Sequence, residues 1–203
     1  MTDYKFTQDW FHWAPQVWEQ LIPLLPERKA FLEIGSFEGR STVWIIENMM
    51  EDGGCIDCID TWSGGEEHGN GEMDGAEARF DHNIELVLRK YADETGARRW
   101  VAKCKGTSTK ELACWLTGID DDTPAYDFIY IDGSHIAKDV LTDACMAWPL
   151  LKKGGIMVFD DYMWGEPRDI LHRPKPAIDA FVNIFAEEVE MIHMGYQLIV
   201  RKK

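Results

Sequence analysis

The chain has 203 residues, 45% hydrophobic and 28% charged, a composition that suits one sizeable globular core and excludes a disordered chain. Its 36 acidic and 21 basic residues leave a formal net charge of −15, a field that repels phosphate backbones and argues against nucleic acid as a partner. No apolar run approaches the ~20 residues of a membrane helix, MTDYKFTQDWFHW lacks the pattern of a signal peptide, and five scattered cysteines suit a reducing cytoplasm; a cytoplasmic location and no membrane partner are expected.

Strand and helix patterns alternate along the chain, which predicts one α/β domain over residues 1–203 with a largely parallel sheet. Residues 1–28 carry Trp10, Phe11, Trp13 and Trp18 and predict a helical extension packed on the sheet or over its open edge, with core packing preferred to substrate stacking. A strand at 30–34 precedes a helix at about 41–50, with Val43, Ile46 and Met50 on one face and Gly53-Gly54 ending it. The second strand, 55–60, contains Cys55 and Cys58. Residues three apart in a strand point to opposite faces, so these read as two core thiols and not as a metal clip. Residues 63–75, rich in Gly, Glu and Asp, predict a mobile acidic loop.

A helix over roughly 76–95, a strand at 100–105 and a helix near 108–116 follow, then the acidic turn Asp120-Asp121-Asp122 and a strand at 128–131. Ile136, Val140, Leu141, Ala144, Cys145 and Trp148 trace a helical stripe that Pro149 should end, and Gly154-Gly155 closes that unit before a strand at 156–159. A helix around 177–187 and strands near 190–193 and 197–201 complete seven strands, the last two turning through Met194-Gly195-Tyr196 into an antiparallel hairpin. The expected architecture is a Rossmann-like, doubly wound, mostly parallel seven-stranded sheet with that hairpin at its C-terminal end.

In an open parallel sheet, ligands bind beyond the carboxyl ends of the strands. The polar residues at those exits are Glu33, Gly35, Ser36, Phe37, Glu38 and Gly39; Asp60, Thr61 and Trp62; Gly106, Thr107 and Ser108; Asp132, Gly133, Ser134 and His135; and Asp160 with Asp161. Gly35 and Gly39 allow a tight turn into a helix N-terminus at Arg40-Ser41, which attracts anionic groups. Asp60, about 20 residues on, is placed to accept both hydroxyls of a ribose. These features together predict a nucleoside-containing cofactor. A dinucleotide site wants GxGxxG, and Phe37 stands where the second glycine would be.

The segment FLEIGSFEGRST (31–42), with IDTW (59–62), YIDGSH (130–135) and GGIMVFDDY (154–162), resembles class I S-adenosylmethionine-dependent methyltransferases, in particular a small bacterial subgroup similar to the macrocin-type and catechol-type O-methyltransferases. The resemblance implies that Glu33, Gly35, Ser36 and Gly39 line the methionine portion of S-adenosylmethionine. It further implies that Asp60 holds the ribose, Trp62 flanks the adenosine, Thr107 and Ser108 lie near the adenine, and Phe37, Ser41, Thr61 and Asp132 also border the cofactor. Many relatives carry an acid after the third strand where this chain has Gly-Thr-Ser. Trp62 reads equally well as a loop anchor.

Asp132 ends the fourth strand and Asp160 and Asp161 the fifth; if these strands are neighbours the carboxylates converge, and close carboxylates call for protonation or a cation. An all-oxygen set suits Mg²⁺, or Ca²⁺ or Mn²⁺. Metal-dependent O-methyltransferases of this type place acids there, which implies Asp132, Asp160 and Asp161 as metal ligands. The alternative has Asp132 on the cofactor side and the pair capping a loop, with no metal. His135 falls where catechol-type relatives have a basic residue, so His135 and Asp132 are the catalytic candidates, although a histidine opening a helix is often just a cap. The expected reaction is methylation of a small-molecule hydroxyl, such as a sugar or vicinal diol. Arg168, His172, Arg173 and the 63–75 loop would frame the acceptor pocket, with homodimerisation left open. The competing readings are a metal-independent N-methyltransferase, a silent S-adenosylmethionine-binding module and, disfavoured by Phe37, a nicotinamide oxidoreductase.

Overall fold

Alternation within a single strand builds both faces of the sheet. In β1 (Ala30–Ile34), Phe31 joins the hydrophobic cluster on one face while Leu32 and Ile34 join the cluster on the other. β4 (Tyr126–Ile131) repeats the pattern, Phe128 and Tyr130 facing one way and Ile129 and Ile131 the other. A strand buried on both sides belongs in the middle of a parallel sheet, and both lie there. The structure is a computed structural model that describes residues 3–65, 69, 71–118, 125–165 and 169–203.

The remaining strands are β2 (Cys55–Asp60), β3 (Trp100–Lys105), β5 (Leu151–Phe159), β6 (Val189–Met194) and β7 (Leu198–Lys202), in the order β3-β2-β1-β4-β5-β7-β6. β1 to β5 pair in parallel, and β7 runs antiparallel to both β5 and β6. The order reverses at β1 and β4, so the exits of these two strands flank the crevice where such sheets bind ligands. Helices α1 (Ala14–Trp18), α2 (Arg40–Trp44) and α3 (Ala76–Thr95) cover one face, and α4 (Ser108–Gly118), α5 (Ala137–Ala147) and α6 (Lys175–Ile184) cover the other. No described helix is long and apolar enough to cross a membrane.

Several expectations change in detail. The helix at 41–50 is a short α-helix continued by a π-helical turn, Ile45–Met49, closed by Met50 N–H donating to the Ile45 carbonyl (2.8 Å). The wider turn puts Ile45, Ile46, Met49 and Met50 all inside, where a regular 3.6-residue period would expose part of the run. Gly154-Gly155 lies within β5, not before it. Gly154 has φ +79° and the pairing with β4 slips there, the mark of a bulge. Cys55 is exposed and only Cys58 is a core thiol, because Cys55 begins its strand at the sheet's rim. The turn at Asp120-Asp121-Asp122 and Arg168 lie outside the described residues.

The N-terminal aromatics divide. Trp18 and Phe11 are core residues, Trp18 meeting Phe128 and Tyr130 edge-on, whereas Trp10 is 52% exposed. Trp18 Nε1–H donates to Gln197 Oε1 (2.8 Å), and Gln197 Nε2–H donates to Asp160 Oδ2 (3.1 Å), so α1 is tied through the C-terminal hairpin to the exit of β5. Trp18→Phe keeps most of the ring but leaves a buried amide oxygen without its donor. Chemical denaturation should show a loss of about 1–3 kcal/mol, beyond the small cost of the volume change.

Candidate active site

The turn after β1 is shaped by how closely two backbones approach. Gly35 has φ +89°, and a Cβ built there would lie 2.0 Å from the Asp132 carbonyl oxygen, so no other residue fits. The following N–H groups of Ser36 and Phe37 both donate to Asp60 Oδ2 (2.9 and 2.8 Å), and Trp62 N–H donates to Asp60 Oδ1 (2.6 Å). A carboxylate has about four acceptor sites. Three accept from backbone, which leaves about one, fewer than the two that both hydroxyls of a ribose would use.

Two further expected contacts prove to be braces. Glu33 is fully buried beneath α2, where Ser41 Oγ–H donates to Oε1 (2.5 Å) and the Thr42 hydroxyl donates to Oε2. Burial pushes its carboxyl above the usual range, and the two hydroxyl bonds oppose that shift. It holds the helix to the strand and does not line the cavity above. Trp62, 7% exposed, packs on Phe80 and donates Nε1–H to the Phe37 carbonyl (2.7 Å), which makes it a loop anchor that does not line the cavity. Gly39 likewise lies behind the lining, its φ of 76° starting α2.

A cavity of about 1090 Å³ opens over the strand exits. Gly35, Ser36, Phe37, Ser41, Asp60, Thr61, Thr107, Ser108, Asp132, His135, Asp160 and Asp161, all read from the sequence, line it together. His172 and Arg173 do not, and the far wall comes instead from Trp13, Trp164 and Tyr196. Of the loop at 63–75, the described residues Gly64, Gly65, Glu72 and Met73 contribute. The N-terminal segment closes one side. Glu38 carboxylate oxygens accept from Thr7 N–H and Thr7 Oγ1–H (both 2.6 Å) and from Arg79 Nε–H (2.5 Å), which latches the segment to the glycine turn.

At the opposite side the carboxylates converge. Tyr130 Oη lies 2.9 Å from Asp132 Oδ2 and also contacts Asp160 Oδ2. A phenol carries one proton, so satisfying both contacts needs a second proton from a carboxyl group. Burial pushes both Asp132 and Asp160 above the usual carboxylate range, reinforced at Asp132 by the charges of Asp160 and Asp161 and at Asp160 by that of Asp161, the direction that favours such a proton. Asp160 Oδ1 also accepts from Asp161 N–H (2.7 Å). Asp161 adopts φ +56°, which turns its side chain the other way, so that Oδ2 meets His135 Nε2 (2.8 Å) and Oδ1 accepts from Tyr196 Oη–H (2.7 Å). The group able to share a cation is therefore Asp132, His135 and Asp161, with ligand atoms all within 4.8 Å of one another. Asp160, expected as a ligand, is in contact with Tyr130, Gln197 and the Asp161 backbone and is not part of that group, whereas His135 is.

Asp143 was missed as a cavity residue. It is 2% exposed on α5 and lines the cavity, and burial pushes its carboxyl up to about 6. An acid between Val140 and Ala144, on the apolar stripe of its helix, was the available signal. A folded-state pKa raised above the unfolded value lowers stability as pH rises between the two, and the penalty is complete above the higher one. Asp143→Asn should accordingly stabilise the protein by about 3 kcal/mol at pH 8. That gain should vanish below pH ~4, as read by denaturant titration across pH.

Comparison with known proteins agrees with this geometry. The profile of a methyltransferase-domain family matches residues 32–162. No curated protein matches the sequence significantly. An O-methyltransferase from Bacillus cereus, solved in complex with SAH, superposes with TM-score 0.63 at 18% identity over 98% of this chain and 84% of its own. The calicheamicin methyltransferase CalS11 gives 0.59 at 14% identity, over 94% and 77%. MycE from the mycinamycin biosynthetic pathway, solved with Mg, SAH and mycinamycin VI, gives 0.58 at 15% identity over 98% of this chain and 50% of its own. With its seven-stranded sheet and the turn after β1 in place, the chain belongs to the methyltransferase-domain family and has the class I methyltransferase fold.

Proposed function

We propose that the protein transfers a methyl group from S-adenosylmethionine to a hydroxyl of a small molecule, with a divalent cation assisting. The observation that carries this reading is that one cavity joins the glycine turn at Gly35 to the Asp132, His135 and Asp161 group. The solved relatives named with SAH, and MycE with Mg, support the cofactor and the cation.

The residues present fit both groups. Carboxylates suit a sulfonium cofactor that carries positive charge at the reacting atom. Asp60 keeps one acceptor site for a ribose hydroxyl, and the close contact of Gly35 with the Asp132 carbonyl clears backbone from the space beside it. Two carboxylate oxygens and one imidazole nitrogen would hold Mg²⁺ or Mn²⁺ at Asp132, His135 and Asp161. When bound, such a cation supplies charge that acidifies a hydroxyl.

The remaining tasks fall to the chain. Methyl transfer is an in-line displacement, so the acceptor oxygen must be held still and lose its proton. Asp161 fixes the orientation of the His135 ring through the 2.8 Å contact to Nε2, and Tyr196 fixes Asp161 in turn. Residues 8–13 and the glycine turn wall the cavity and restrict water. The hydroxyl proton passes to His135 or Asp132, the two candidates for general base, whichever of them a bound cation leaves unengaged.

Calorimetry tests the cofactor directly: S-adenosylmethionine and S-adenosylhomocysteine should bind and NAD should not, and silence toward the first two ends this reading. With an acceptor in hand, a chelator should abolish turnover and Mg²⁺ should restore it; turnover indifferent to chelation would remove the cation. His135→Ala should lower kcat at least about a hundredfold with S-adenosylhomocysteine affinity nearly unchanged.

A further inference from the structure

Asp143 is a buried acid that the methyl transfer does not use. It sits on α5, 2% exposed, yet it lines the cavity at the end where Gly106, Thr107 and Ser108 leave β3. Its Oδ1 is buried and has no hydrogen-bond partner, and Ser108 is the side chain that bonds the carboxyl group. Its Oδ2 lies beneath Gly133, where an added Cβ would come within 3.8 Å of it; glycine keeps that space clear. Among the described residues the charge that acts on this carboxyl is that of Asp139, another acid, so no cation compensates its burial. Asparagine in its place should relieve the cost of the buried charge, so the ionised group is not held there for stability. An unfilled acceptor at the wall of a cavity suits a donor on a ligand.

The sheet order gives the direction from which that donor comes. From the β3 exit the row of strand ends passes Asp60 on β2, Gly35 on β1, Asp132 on β4 and Asp161 beyond β5. Asp60 has about one acceptor site left for a ribose hydroxyl, and the Asp132, His135 and Asp161 group lies to the β4 and β5 side. A nucleoside with its ribose at Asp60 and its sulfur toward Asp132 therefore directs its base to the β3 side. The exit of β3 itself carries no acid, only Gly106-Thr107-Ser108, and the acid at this end comes from α5 instead. An ionised carboxylate only accepts hydrogen bonds. On the edges of adenine the ring nitrogens accept and the 6-amine is the donor. An oxygen in place of that amine would set two acceptors against each other.

We propose that Asp143 is the residue that selects adenine, its carboxylate accepting a hydrogen bond from the 6-amine of the cofactor. The assignment rests on the methyltransferase reading above and adds to it a determinant of cofactor specificity, carried by a helix and not by the turn after β3.

Calorimetry at pH 8 with three ligands tests it: S-adenosylhomocysteine, S-inosylhomocysteine, in which a 6-oxo group replaces the amine, and the analogue with hydrogen at that position. In the native protein the 6-hydrogen analogue should bind at least about tenfold, and the 6-oxo compound at least about a hundredfold, more weakly than S-adenosylhomocysteine. Asp143→Asn, whose amide can donate to an oxo group, should shrink the preference for the amine over the oxo group at least about tenfold. A residue that only held the Ser108 turn in place would weaken all three ligands by one factor, so an unchanged ratio in Asp143→Asn overturns the proposal. Equal affinity of the native protein for S-adenosylhomocysteine and the 6-hydrogen analogue overturns it without any variant. Binding of S-adenosylhomocysteine with no such preference removes only the role of Asp143, whereas failure of the native protein to bind S-adenosylhomocysteine at all overturns the methyltransferase reading with it.

Discussion

Three aspartates crowd the exits of β4 and β5, and much of the surrounding structure can be understood as the means of keeping them together. Carboxylates this close and this shielded repel one another, and the fold answers with specific partners. Tyr130 bridges Asp132 and Asp160; Gln197, itself anchored by Trp18, adds a donor to Asp160; His135 and Tyr196 attend to Asp161. The left-handed backbone at Asp161 is what separates the two consecutive side chains, sending Asp160 to Tyr130 and Gln197 and Asp161 to His135 and Tyr196. Without that reversal the two neighbouring carboxylates would compete for the same partners.

The same logic divides the acids around the glycine turn. Glu33 and most of Asp60 are spent on backbone and hydroxyl donors, and so shape the turn from behind. Asp132 and Asp161 keep unfilled capacity on the cavity side. Acidic residues that look equivalent along the sequence thus have distinct work, determined by how many donors reach each oxygen.

This explains which features were legible beforehand. Strand and helix order could be read because the central strands carry their own apolar pattern and their exits end in turn residues, whereas the order of strands in the sheet is seen only in the structure. Gly35 was legible because only a glycine suits the approach to the Asp132 carbonyl. Direction was not legible. Whether Trp62 faces the cavity or Phe80, and whether Asp160 or His135 joins the cation group, depends on φ values of +51° at Trp62 and +56° at Asp161. Non-glycine residues with positive φ carry no warning in the sequence. The bulge at Gly154 and the π-helical turn after α2 were hidden for a similar reason, since each satisfies the apolar pattern by departing from the regular period.

The strand order has a consequence for how the protein forms. β2 can find β1 early, but the other side of β1 must wait for β4, whose residues follow only after β3 and α4. Parallel pairings across long stretches of chain are slow, because the intervening loops must be closed before contacts compensate for their lost freedom. During that interval the unpaired edge of β1 and the apolar Phe31 and Leu32 stay open to wrong partners. The cavity, assembled from five strand exits and closed by the N-terminal segment, becomes complete only when the earliest part of the chain meets the last hairpin. Ligand-binding competence should therefore be among the final properties to appear on the folding path.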